Sequence, residues 1–199
     1  MTLADLIPAA QPQGAGILAR HEGRLVFVGY LPRREQGGVI CGRVGGWRKA
    51  GESWLDCVRR ETREEICCDV NITTSPQAYF AEPAADAGPI DLQDDPRPLL
   101  VSLQHLTGRG IGLYYNVIFL ASLLGEPSLG PQIELLVYLT DANLLALAQQ
   151  PLPLSAVIQA EAKIESRSEL PPETPVTLGR SLILLAQLVK SGIRLPCLP

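Results

Sequence analysis

Histidine is almost missing from this chain: His21 and His105 are its only two, and neither has a neighbour that would make it part of a nucleophilic couple. Catalysis through a serine–histidine or cysteine–histidine pair is therefore not expected. Cysteine is also sparse. Cys41, Cys57, Cys67, Cys68 and Cys197 are odd in number and form no C-x-x-C pair, which argues against a structural zinc site and against a full disulfide framework. Charged residues make up 19% of the chain and the net charge is −4, so there is no basic surplus of the kind that tracks a nucleic-acid backbone. Small anionic substrates are still compatible with that charge, because a bound cation can reverse the local sign. Long apolar runs are lacking as well. The longest candidate, "SLILLAQLV" from Ser181, is far too short to span a bilayer, and "MTLADLIPAAQPQ" lacks the basic start and apolar stretch of a signal peptide. The expectation is a cytoplasmic protein with neither membrane nor nucleic acid as partner.

What is present is ordinary globular composition, 46% apolar over 199 residues, enough for one substantial core. One domain spanning 1–199 is expected, with a core over about 12–150 and a helical extension over about 151–199. "GAGILA" and "RLVFVGY" read as a hairpin over 14–30, and "VICGRV" as a third strand ending at Gly45 and Gly46. "AYF" near Tyr79 reads as extended, and "EPAADAGPIDLQDDPRP" as a long loop. "LLVSLQHL" and "LYYNVIFLASLL", joined by "TGRGIG", are longer strands, and "LLVYL" from Leu135 is the last. The remainder reads as helices, "TDANLLALAQQ", "SAVIQAEAKI" and "LGRSLILLAQLVK", with "ESRSELPPETP" as a connector.

The segment "GGWRKAGESWLDCVRRETREEICC", residues 45–68, carries the strongest chemical signal. A helix starting at Glu52-Ser53 places Leu55, Val58, Thr62 and Ile66 on its core face. Glu61, Glu64 and Glu65 fall on one side of that stripe, with Arg59, Arg60 and Arg63 on the other. A helix held by surface ion pairs would interleave its signs at four-residue spacing. Here Glu61 and Glu65 are four apart with like charge, and Arg60 reaches only Glu64 at that spacing. Such a cluster is either a solvated acidic face or a set of oxygen ligands for a hard cation such as Mg²⁺ or Mn²⁺.

Residues 46–68 resemble the Nudix box, G-x(5)-E-x(7)-R-E-U-x-E-E-x-G-U with U a bulky aliphatic residue. Gly46, Glu52, Arg60, Glu61, Glu64 and Glu65 fall on its glycine and polar positions. Matches at all of these in one register arise by chance in roughly one in 10⁵ chains of this size. Thr62 replaces an aliphatic position, Cys67 the closing glycine and Cys68 the last aliphatic, and Val44 stands where many members have proline. At Cys67 the resemblance implies a helix end strained by about 1 kcal/mol or built differently.

The resemblance implies an α/β/α sandwich with a mixed sheet, here followed by C-terminal helices. It implies hydrolysis of a nucleoside diphosphate linked to another moiety, by attack of a metal-activated water on phosphorus. Mg²⁺ or Mn²⁺ would be the cofactor, with Glu61 and Glu65 as principal ligands, Glu64 as a further ligand or base, and the Gly46 carbonyl as a backbone ligand. Glu52 and Arg60 would form the pair that ties the loop to the helix. An additional loop carboxylate is often used, for which Glu82, Asp86, Asp91, Asp94, Asp95 and Glu134 are candidates. ADP-ribose pyrophosphatases often carry a proline about sixteen residues beyond the closing glycine position, and Pro83 stands there when counted from Cys67.

Trp47, Tyr79, Phe80, Tyr114 and Tyr115 are candidates for stacking on a base, and Arg33, Arg34, Arg97 and Arg109 for holding a terminal phosphate. The competing reading is a silent Nudix-like nucleotide sensor or scaffold. It is disfavoured because the box glutamates are intact, and because Lys163, Arg167, Arg180, Lys190 and Arg194 near the C-terminus are diluted by acids and form no recognition helix. Those C-terminal helices are expected to cover the sheet or build a homodimer interface.

Overall fold

The computed structural model describes residues 1–31, 37–106 and 112–193. Arg33, Arg34, Arg109, Arg194, Cys197 and most of "TGRGIG" lie outside them.

Runs rich in valine, isoleucine, leucine and aromatics build a first sheet from β1 (Gln13–Leu18), β5 (Val44–Trp47), β6 (Val70–Thr73), β7 (Ala78–Ala81), β8 (Gly88–Ile90), β9 (Leu100–Leu106) and β10 (Gly112–Leu123). A second sheet contains β2 (Arg20–His21), β3 (Arg24–Tyr30), β4 (Val39–Gly42), β11 (Leu135–Leu139), β12 (Leu152–Pro153), β13 (Lys163–Ser166) and β14 (Pro175–Leu178). Both sheets are mixed. In the first, β1 runs parallel to β10 and antiparallel to β5; in the second, β14 runs parallel to β4 while β3 and β11 are antiparallel. The helices are α1 (Leu3–Leu6), α2 (Trp54–Ile66), α3 (Asp141–Leu147), α4 (Leu154–Gln159) and α5 (Arg180–Lys190).

Strand alternation splits the core into two layers. Leu25 and Phe27 of β3 and Leu135, Val137 and Leu139 of β11 pack in one cluster with Leu144, Val157, Leu182 and Leu185 of the C-terminal helices. Val26, Val28, Leu136 and Tyr138, on the opposite faces of those strands, pack with Cys57, Val58 and Ile66 of α2. The sheets therefore lie between α2 on one side and α3, α4 and α5 on the other, an α/β/α arrangement as expected. No described helix is long and apolar enough to cross a membrane.

Several elements differ from the sequence reading. Residues 14–30 do not form one hairpin: β1 pairs in the first sheet and β3 in the second, and the tight turn, at Glu22-Gly23 with φ of 49° and 78°, joins only β2 to β3. "VICGRV" is two strands, β4 and β5, in different sheets. The acidic loop contains β8, and β6 follows α2 directly. The C-terminal part is not purely helical. Lys163–Ser166, whose first two residues end "SAVIQAEAKI", supplies β13 on the edge beside β11, and Pro175–Leu178 supplies β14 beside β4, so non-local pairing overrode the helical composition there.

Candidate active site

Ser53 caps the start of α2 by accepting a hydrogen bond from the Asp56 N–H at 3.1 Å, within the Glu52-Ser53 start expected. The buried face contains Cys57, Val58, Thr62, Glu65 and Ile66, with Leu55 only half-buried, so the core stripe is rotated toward the glutamate side. The Thr62 hydroxyl donates to the Val58 carbonyl at 2.8 Å, which satisfies it in an apolar layer. The helix ends on Cys67 in the left-handed conformation, φ 51° and ψ 31°, so this thiol residue takes the backbone shape that a glycine would adopt at lower cost. The backbone N–H groups of Ser128 and Gly130 bond the last carbonyls, those of Ile66 and Glu65, at 2.9 and 2.8 Å.

The loop before α2 is tied down by Arg60. Its Nε donates to Glu52 Oε1 at 2.7 Å, and its Nη2 donates to Glu52 Oε2 and to the Trp47 carbonyl, each at 3.0 Å. The Arg60 guanidinium and the Lys49 N–H hold the Glu52 carboxyl down to about 2. This is the tie expected of the two residues. Arg60 Nη1 also donates to Glu61 at 2.6 Å and to Glu64 at 3.2 Å. The Glu64 contact was expected; the Glu61 contact was not, because helical spacing places neighbours at i and i+1 apart while a long arginine can curl back over its own turn.

Glu65 is different. It is 8% exposed; Oε2 accepts the Gly45 N–H at 2.7 Å and Oε1 accepts the Tyr30 hydroxyl at 3.2 Å. Among the described residues it has no cation within salt-bridge distance. Burial pushes its carboxyl up to about 7, against the opposing pull of the Gly45 hydrogen bond and of Arg43. Gly45 sits at φ 140°, where a Cβ would come 2.2 Å from the Ala15 carbonyl. Gly46 is bare for a related reason, since a Cβ there would lie 2.4 Å from the Glu61 carboxylate. The glycine pair thus lets two carboxylates close against the backbone.

Gly45, Gly46 and Glu65 border a cavity of about 650 Å³, whose walls also include Tyr30, Arg43, Trp47, Gln104, Tyr114, Asn116 and Ser181. The rings of Trp47 and Tyr114 stand 5.0 Å apart, tilted by 59°. Behind them the Tyr114 hydroxyl donates to Gln104 Oε1 at 2.8 Å, and Asn116 and Gln104 both donate to Ser181 Oγ, at 2.8 and 3.0 Å.

The other candidates are dispersed. Tyr79, Phe80 and Tyr115 pack against the two core clusters. Arg97 is spent on the carbonyls of Leu92 and Pro76. Asp86, Asp94 and Asp95 accept hydrogen bonds from Gln187, the Leu3 N–H and Thr74, and none of the six loop acids lines the cavity. His105 is exposed, and His21 lies 3.4 Å from Glu126 beside Tyr138. Pro83 is exposed in the turn after β7, away from the cavity. Arg43, Asn116, Gln104 and Ser181 were missed by sequence reasoning; the one local signal was the Gly-x-Gly of β1, two bare positions on one strand face.

All the acidic candidates on α2 offer carboxylate oxygen, which suits a hard cation in kind. Among the described residues no group of three or more acidic, cysteine or histidine side chains is drawn together as a metal cage. Glu61 and Glu64 are instead turned onto Arg60.

The chain is similar to solved structures titled NUDIX hydrolases. One from Clostridium perfringens is 10% identical over 92% of this chain and 99% of its own, with a TM-score of 0.49. One from Nitrosomonas europaea is 14% identical over 76% and 86%, TM-score 0.49. A MutT NUDIX hydrolase from Burkholderia pseudomallei is 15% identical over 90% and 98%, TM-score 0.45. No protein-family model and no curated protein matches the chain. Likeness at this level assigns neither family nor activity.

Proposed function

We propose that this chain is a Nudix-type pyrophosphohydrolase, dependent on Mg²⁺ or Mn²⁺, that cleaves a nucleoside diphosphate linked to another moiety, ADP-ribose being one such compound. The observation that carries the reading is Glu65: a buried carboxylate with no cation in salt-bridge contact among the described residues, bonded to the Gly45 N–H and lining a cavity large enough for a nucleotide. A buried acid without a counter-charge is costly, and a ligand that brings its own cation removes that cost.

Glu61 and Glu65 hold the cation in this reading, with Glu64 as a further ligand or base and the Gly46 carbonyl as a backbone ligand. Glu52 and Arg60 are positioning residues that fix the loop carrying Gly45 and Gly46. Bound divalent cations would neutralise the pyrophosphate and lower the pKa of the attacking water. Water oxygen bonds to phosphorus, the P–O–P bridge breaks, and two phosphate-bearing products form, the water's proton passing to a carboxylate. In this reading Glu64, half-exposed and bonded to Arg60, receives it. With burial raising the Glu65 carboxyl to about 7, cation binding there would release a proton and tighten as pH rises. Trp47 and Tyr114 offer the aromatic surface for a base. A small nucleotide in the cytoplasm is the partner in this reading.

The test is incubation with ADP-ribose, NADH, sugar nucleotides, dinucleoside polyphosphates and nucleoside triphosphates, with Mg²⁺ or Mn²⁺, beside Glu65→Gln. Cleavage absent from the variant is expected. Folded protein that binds nucleotide with metal but turns over none of these compounds is a sensor, and the enzyme reading fails.

A further inference from the structure

Arg43 is a cation with no carboxylate in salt-bridge contact among the described residues. It is half-buried, its Nε donates to Asn116 Oδ1 at 2.6 Å and its Nη1 to the Gly45 carbonyl at 2.8 Å, both neutral acceptors. Among the described residues no carboxylate oxygen lies within 4.0 Å of it, whereas Arg20, Arg59, Arg60 and Arg63 each have one.

The fold makes a dedicated seat for it. A Cβ on Gly16 would come 2.6 Å from Arg43 Cδ, and one on Gly14 would come 2.7 Å from Nη2, so both positions of β1 are bare where the side chain crosses. Asn116, 1% exposed, is fixed from behind by its bond to Ser181. Seating a guanidinium this way costs solvation that neutral acceptors only partly return.

Two donors at this seat are unspent. Nη2 of Arg43 donates to no described residue, and Ser181 Oγ accepts from Asn116 and Gln104, which leaves its own proton free. Both residues line the cavity, as does Arg180, whose Nη2 reaches only the Ala85 carbonyl. Gly45 links this cation to the acidic wall, its N–H bonded to Glu65 and its carbonyl to Arg43.

We propose that Arg43, with Ser181, is an anion seat that takes a phosphate group of the ligand directly, with no metal ion between them. Planar, doubled N–H donors suit phosphate oxygens, and the half-buried setting strengthens each contact. The choice of phosphate over another anion rests on the hydrolase reading above; the existence of the seat does not.

Calorimetric titration of the full chain with AMP and with inorganic pyrophosphate, in EDTA, tests it. Saturable binding is expected for the natural protein and for Glu65→Gln, with affinity about 10- to 100-fold weaker in Arg43→Gln and a smaller loss in Ser181→Ala. Binding should also fall as salt is raised, and this slope should flatten in Arg43→Gln. Thermal melting of each variant checks folding; if Arg43→Gln does not fold, Arg43→Lys, which keeps the charge but loses the fork, and Ser181→Ala carry the comparison. Metal-free affinity that is undetectable in the natural protein, or unchanged in folded Arg43 and Ser181 variants, overturns the proposal. Binding that depends on Arg43 without turnover in Mg²⁺ or Mn²⁺ keeps the seat and removes the hydrolase reading.

Discussion

The Arg60 cluster on α2 and the Arg43–Glu65 wall of the cavity solve the problem of buried charge in contrary ways. On α2, Arg60 gathers Glu52, Glu61 and Glu64 within 3.2 Å, so opposite charges settle each other inside a single loop and helix. At the cavity Arg43 is settled by an amide oxygen and a carbonyl, and Glu65, on the buried side of the same helix, by an N–H and a phenol. Paired charges hold a shape; charges left on dipoles keep their capacity for something arriving from outside. The contrast separates Glu52 and Arg60, which hold the loop, from Arg43 and Glu65, which are left open toward the cavity; Glu61 and Glu64 rest on Arg60 and join the ligand side on the hydrolase reading.

Variants can sharpen this division. The largest effect is expected at the acids: Glu61→Gln and Glu65→Gln should each lower hydrolysis by about 100-fold or more, read as kcat/KM at saturating metal, with little loss of thermal stability. Arg60→Ala should instead act on stability, by about 2 kcal/mol in chemical denaturation, because it strips a half-buried Glu52 of its charged donors. The pair also fixes an acid limb. With the Glu52 carboxyl held at about 2 against an ordinary 4.5, its contribution is whole above pH 4.5 and is lost as pH falls toward 2, and Arg60→Ala should erase that part of the slope.

Glu65 works with the opposite sign. Raised to about 7 from 4.5, it contributes stability that is whole below pH 4.5 and is lost as pH rises through 7. Metal-free protein should therefore melt lower at pH 8 than at pH 5.5 by an increment that Glu65→Gln lacks. An equal increment in the variant breaks the contrast with Glu52. The smallest expected effect is at the helix end, where Cys67→Gly should relieve a left-handed residue and raise stability by about 1 kcal/mol or less in thermal melts, without touching kcat/KM.

The same division explains how much was legible in the sequence. The order Gly46, Glu52, Arg60, Glu61, Glu64, Glu65 is written over twenty residues, and helical geometry alone converts it into a face. The Glu52 tie to Arg60 was implied by the resemblance that this order carries, as was a helix end at Cys67 that is either strained or built differently; the structure has the left-handed form. Arg43, Gln104, Asn116 and Ser181 come from the link before β5, from β9 and β10, and from the start of α5, and no periodicity connects them. The strands β13 and β14 were hidden for a similar reason. Lys163 and Ile164 close a run of helical composition, and it is pairing with β11 that makes them extended.

Gly42 closes β4 and Val44 opens β5, so Arg43 alone carries the chain from one sheet to the other. A crossing that short is a seam, and the cavity opens along it. Neither sheet owns the site: half of its lining exists only once the two have docked and α5 has closed over them. On the proposed reading an occupant of the cavity would touch both sheets and α5 at once, and so act as mortar across the join.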